Sequence, residues 1–129
     1  MDGLISFLMY FGLSMAFAGL FLFIYGQVTP YREFNLISSG NVAASFSYGG
    51  ALLGFAIPLA SAIAHSVSLS DMALWAGVAL CVQVITFFFV RLMLPGIVSD
   101  IPNNQLSKGV FLGIVSIATG ILNAACMTY

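Results

Sequence analysis

Charge is what this sequence has least of. Seven side chains of 129, or 5 per cent, are of ionised types, and the formal net charge is −1. Soluble domains average about 25 per cent charged residues. A folded chain of this length has a large surface, and so few charges cannot cover it in water. A soluble enzyme and a disordered chain are therefore excluded. Three cations cannot build the stripe that a phosphate backbone needs, so a nucleic-acid partner is excluded as well. No basic cluster is present to attract anionic lipid. Cysteine is also scarce. Cys81 lies mid-segment and Cys126 near the chain end, so a structural disulfide is not expected. One histidine and two separated cysteines make no metal site, and no cofactor is expected.

What the sequence has is apolar length. Hydrophobic residues make up 61 per cent. Four segments stand out, at about 4–27, 42–67, 72–94 and 108–128. A helix needs roughly 20 apolar residues to cross the hydrocarbon core, and each segment meets that. The runs are continuous rather than alternating, which disfavours strands. In lipid the backbone must satisfy its own hydrogen bonds. The expected fold is all-α: four transmembrane helices in a single integral membrane domain over 1–129. Ala16-Phe17-Ala18 mimics a signal-peptide cleavage site, but Met1-Asp2-Gly3 carries no cation and the apolar run continues to Ile24. The first segment is read as a retained span.

The connections suggest a doubled plan. Val28 to Asn41 joins the first two spans, and Thr29-Pro30 predicts the N-cap and first residue of a short helix reaching about Ile37. Glu33 beside Arg32 is read as a solvated loop pair. Spans two and three are joined by a few residues around Ser68 to Asp71, and spans three and four by Pro95 to Ser107. This order reads as a two-helix unit used twice, about 4–67 and about 72–129, related as parallel repeats. A shift of 69 places Gly40 on Gly109, Ser47 on Ser116, Leu53 on Leu122 and Ala56 on Ala125. Arg32, Arg91 and Lys108 fall in or beside the first and third loops. The positive-inside rule then puts those loops in the cytoplasm and both termini outside.

Helix faces point to the candidate residues. Span two has one small or polar face: Ala43, Ser47, Gly50, Gly54, Pro58, Ser61 and His65. Gly50 and Gly54 form a GxxxG pair, which lets backbones approach closely. Span four has a similar face with Gly109, Gly113, Ser116, Gly120 and Asn123. Spans one and three are bulkier, with Phe7, Phe11, Phe17, Phe21 and Phe23 in one and Phe87, Phe88 and Phe89 in the other. Spans two and four are expected to pack centrally, with one and three facing lipid more. Gln83 lies mid-span with Ala76, Ala79 and Thr86 on its face. An unpartnered amide in hydrocarbon is costly, so Gln83 and Asn123 should point inward. Such a face serves either helix packing or the lining of a pathway, and the residues leave both open. His65, near a helix end, reads as a hydrated cap or a pH sensor. No carboxylate is placed inside a span, and no catalytic constellation is present, so an enzyme is not expected.

Ile24-Tyr-Gly-Gln-Val-Thr-Pro-Tyr-Arg-Glu-Phe-Asn-Leu-Ile37, Gly40-Asn41-Val42-Ala43-Ala44-Ser45, Gly49-Gly50-Ala51-Leu52-Leu53-Gly54 and Leu122-Asn123-Ala124-Ala125-Cys126-Met127-Thr128-Tyr129 together resemble the YjfL-type family. These are small bacterial inner-membrane proteins of no settled activity. The resemblance covers almost the whole chain. It implies four spans, a repeated two-helix unit and an inner-membrane location. It adds Asn41 to the candidate face and picks out Gly50, Gly54, Pro58, Ser61, Gln83, Arg91, Asn123 and Cys126 again.

Two functions compete. The first is a homo-oligomer in the lipid bilayer that forms a pathway for an ion or small solute. The second is a non-catalytic structural or interaction protein of the bacterial envelope. Wetting of the polar face separates them.

Overall fold

The computed structural model describes residues 2–65 and 68–127. Every regular element among them is helical: α1 (Asp2–Val28), α2 (Glu33–Ser38), α3 (Val42–His65), α4 (Leu69–Met93), α5 (Ile97–Asp100) and α6 (Leu106–Cys126). Four are long and apolar enough to cross a membrane: Gly3–Val28, Val42–His65, Leu69–Met93 and Leu106–Cys126. These match the expected spans to within a few residues. The expected ends at 66, 67 and 128 lie outside the described residues.

Local chemistry sets the boundaries. Pro30 restricts the residue before it and cannot donate to a helix, so α1 stops at Val28. The short helix does not begin at Pro30 as expected. It begins at Glu33, because the Thr29 side chain turns to the Glu33 carboxylate instead of capping a helix. Gly40, at φ +91°, then ends α2: its N–H donates to Ile37 O, and the Asn41 N–H to Leu36 O. This is a Schellman ending, which needs the left-handed residue. Asn41 starts α3 at once, its Oδ1 accepting from the Ala44 N–H at 2.8 Å.

The other long loop repeats the device. Asn104, at φ +58°, donates its N–H to Ile101 O while the Gln105 N–H reaches Asp100 O, and α6 starts at Leu106. The two loops also cap one another. Asn41 Nδ2 donates to Ile101 O and Pro102 O at 2.9 and 3.1 Å, and the Ala43 N–H donates to Asn104 Oδ1 at 3.0 Å. Lys108 closes the third loop through a 3.0 Å ion pair with Asp100. On the opposite side, Ser68 caps α4 by accepting from the Asp71 N–H.

The helices α3 and α6 share the largest contact in the molecule. They run parallel: Ala43 meets Gly109, Gly50 meets Gly113, and Gly54 meets Ser116 and Gly120. Half of the most apolar stretch of α3 is buried, against 33% for α4, 28% for α6 and 11% for α1. So α3 is central, α4 and α6 flank it, and α1 is peripheral. The expectation for α4 needs correction: it is as buried as α6, because Met72, Ala76, Ala79, Gln83, Phe87 and Val90 all face inward. Phe21 is a second correction, being fully buried and stacked on Phe55 with centroids 4.5 Å apart. Tyr25 sits edge-on to Phe87. These rings hold the C-terminal half of α1, while Leu4, Phe7, Leu8 and Phe11 of the other half are exposed.

Candidate functional site

The small faces of α3 and α6 meet within one chain. A methyl group at Gly50 would overlap the Cα of Gly113, and one at Gly109 would overlap the backbone of Ala43. At Gly54 it would overlap Ser116 O and come within 2.7 Å of Gln83 Nε2. At Gly120 it would overlap Gly54 O. Pro58 explains that last contact. It offers no N–H to Gly54 O, and the freed carbonyl faces the Gly120 backbone on the next helix. The backbones approach as closely as glycine allows, so the seam holds no open channel.

Polar atoms gather along this seam. Gln83 of α4 is fully buried, and its Nε2 donates to Ser116 O at 3.1 Å. Its Oε1 has no hydrogen-bond partner. Ser47 is buried and donates to Ala44 O. Ser116 is fully buried with its Oγ unpartnered, and the buried Tyr25 hydroxyl turns towards it without a hydrogen bond of ordinary geometry. Three buried polar atoms from three helices are therefore left over: Tyr25 OH, Ser116 Oγ and Gln83 Oε1.

The remaining expected residues are more scattered. Asn41 is buried, but as a cap and loop tie rather than as a lining group. Pro58 is buried and Ser61 half-buried. Asn123 is half-buried with its amide nitrogen inside and unpartnered, so it is shallower than Gln83. His65 is exposed, its Nδ1 3.0 Å from Ser61 O. Cys81 and Cys126 are free and exposed, and Arg91 is exposed.

Sequence reasoning missed Glu33. It is the chain's only glutamate, and it is not a solvated partner of Arg32: it is only 3% exposed. Both carboxylate oxygens lie 2.8 Å from Thr29 Oγ1 and share its one hydrogen. No Lys, Arg or His among the described residues comes within ion-pair distance of it. Burial pushes its carboxyl up from 4.5 to about 7, against the opposing effect of the Thr29 bond. Tyr31, also outside the spans, is raised by burial and by Glu33, and its hydroxyl faces Ser47 without a hydrogen bond of ordinary geometry. Tyr48 closes the group, its hydroxyl donating to Leu22 O at 2.6 Å. A recess of about 500 Å³ opens here, lined by Gly26, Thr29, Tyr31, Glu33, Phe34 and Tyr48 among others. The signal was present in the sequence: Thr29 and Glu33 are four residues apart, with Tyr31 and Phe34 beside the carboxylate.

Glu33, Thr29 and Tyr31 thus lie at one end of the bundle, and Tyr25, Ser47, Ser116 and Gln83 continue inward from them. Among the described residues no group of three His, Cys, Asp or Glu side chains could hold a metal ion. No solved structure matches the chain. Among curated proteins, it is 43% identical over 129 residues to the UPF0719 inner membrane protein YjfL of Escherichia coli (strain K12), covering all of this chain and 98% of that one. It is 26% identical over 118 residues to the UPF0719 transmembrane protein YshE of Bacillus subtilis (strain 168), covering 90% of this chain and 88% of the other. With four apolar helices of spanning length and relatives of this kind, the chain is a multi-pass inner-membrane protein. Residues 1–127 match the Domain of Unknown Function family DUF350, and the chain belongs to that family.

Proposed function

We propose that this protein is a non-enzymatic membrane protein that handles a small ion, with copies associating in the bilayer. One observation carries the reading: the run of buried polar atoms from Glu33 inward to Gln83, with Gln83 Oε1 unpartnered and Tyr25 OH and Ser116 Oγ turned to one another without a hydrogen bond of ordinary geometry. Buried polar groups are normally satisfied, and orphans in a row call for water or an ion. The tight α3–α6 seam serves as the rigid wall of this pathway, not as its lumen. The peripheral α1, exposed along Leu4, Phe7, Leu8 and Phe11, leaves area for a second copy beside it. The reading includes cytoplasmic first and third loops, from Arg32, Arg91 and Lys108, and extracytoplasmic termini. It also includes duplication, supported by the left-handed turn before both α3 and α6, at Gly40 and Asn104, although these lie 64 residues apart and not at the shift of 69 read from the sequence.

Purified protein in liposomes tests it. Potassium or sodium efflux above that of empty vesicles is expected, reduced in Glu33→Gln. Efflux equal to that of empty vesicles rejects the pathway. A second reading, a non-catalytic interaction protein of the envelope, is favoured by the glycine-tight seam, which makes a stiff scaffold.

A further inference from the structure

The oxygen atoms around Glu33 outnumber the hydrogens available to them. Thr29 Oγ1 lies 2.8 Å from Glu33 Oε1, 2.8 Å from Oε2, 3.3 Å from Gly26 O and 3.3 Å from Tyr31 O. Four acceptors converge on a hydroxyl that has one hydrogen. The backbone N–H of Glu33 itself is the other donor to the carboxylate. A buried carboxylate with no counter-charge is expensive. Tyr31, more than nine-tenths buried, lines the recess, with its hydroxyl turned to Ser47 without a hydrogen bond of ordinary geometry.

We propose that this nest binds one partly dehydrated alkali-metal cation, held by the Glu33 carboxylate, the carbonyls of Gly26 and Tyr31, and Thr29 Oγ1. The inference rests on reading the cluster as ion-handling, and it names the ion class. Hard oxygen donors alone select an s-block ion over a transition metal. One carboxylate selects charge +1, because a divalent ion would leave a net positive charge in a poorly solvated site. Gly26 O belongs to the last turn of α1, where the helix dipole favours a cation. Carbonyls at helix C-terminal ends are suited to coordinating such ions. With the ion bound, Thr29 gives its hydrogen to one carboxylate oxygen and its lone pair to the metal. The recess supplies the way in.

The test uses the purified full chain in detergent at fixed pH. Its thermal midpoint is compared in potassium, sodium and N-methylglucamine chloride at equal ionic strength, with binding of radioactive rubidium measured in parallel. A saturable rise with potassium or sodium, and rubidium binding near one per chain, are expected. Glu33→Gln should abolish both without lowering the N-methylglucamine midpoint, because a neutral amide removes the uncompensated buried charge and supplies the missing N–H donors. Thr29→Val should weaken the apparent affinity by about ten- to a hundredfold; it also carries the test if Glu33→Gln does not fold. Equal midpoints in the three salts overturn the proposal, as does an unchanged cation response in Glu33→Gln. A larger rise with calcium overturns the monovalent assignment. A rise produced only by acidification, the same in every salt, marks a proton site and also overturns it. Binding without liposome flux leaves this inference standing and removes the pathway; flux without binding does the reverse.

Discussion

Glu33 ties the chemistry of the molecule to its stability. Its carboxyl stands at about 7 in the fold, against 4.5 for an ordinary one, because burial penalises the charge. A folded value above the unfolded one means stability that is full below the unfolded value. That stability is lost as pH rises through the folded one. In buffer free of alkali metals the thermal midpoint should therefore fall between pH 4.5 and about 7 and then level off. The groups facing Glu33 are Tyr31 in its own loop, Tyr25 on α1 and Tyr48 on α3. Phenols stay protonated throughout that window. His65 is exposed at a different helix end. The variant should show a flat profile over this window; a wild-type profile equally flat there would count against the burial account. None of this was legible from the pair Arg32-Glu33, which reads as a solvated turn. The carboxylate is buried because Pro30 ends α1, and the Schellman turn at Gly40 folds α2 back against α3.

Among elements, the α3–α6 pair was the most legible. Gly50, Gly54, Gly113 and Gly120 recur at helical spacing, and in lipid such spacing has few uses other than close packing. What the spacing could not say is whether the partner was the same chain. The answer lies in the loops, where Asn41 and Asn104 tie the two helix starts together. The burial of α4 was less legible. Its inward face is made of small residues around one amide, while Phe88, Phe89 and Leu92 dominate its composition and face outward. Gly54 is where all three helices meet, so it is the sharpest place to perturb the seam. Gly54→Ala puts a methyl against the Ser116 carbonyl, a backbone atom that cannot swing aside. It should destabilise by about 1–3 kcal/mol or more and break the Gln83–Ser116 bond. Gly49→Ala, with open space at its Cβ, is the matched control and should be near neutral. Equal thermal midpoints for the two variants would remove the seam from the account.

On the scale of the whole molecule, the membrane decides what is exposed. Leu4, Phe7, Phe23, Leu74, Ile85, Phe89 and Leu122 lie on the outer surface, as a lipid-facing surface requires. The three cations mark one end. Arg32, Arg91, Asp100 and Lys108 cluster around the first and third loops, and a cytoplasmic position for them predicts an active C-terminal alkaline phosphatase fusion and a dark green-fluorescent one. The opposite pattern would invert the molecule and turn the Glu33 recess outward.

The proposed pathway requires water or an ion to reach the polar run beside the seam. Ser116 is its best probe, because Ser116→Cys changes one atom at a fully buried site whose hydroxyl faces Tyr25 without a hydrogen bond of ordinary geometry. Cys81→Ala and Cys126→Ala remove the two exposed thiols first. The decisive measurement is the rate at which a small, water-soluble thiol reagent labels position 116 in the folded protein in liposomes. Labelling is expected, slowed when Gln83→Leu dries the run. Complete protection of position 116, in a protein whose thermal midpoint shows it to be folded, would rule out the pathway and favour the scaffold.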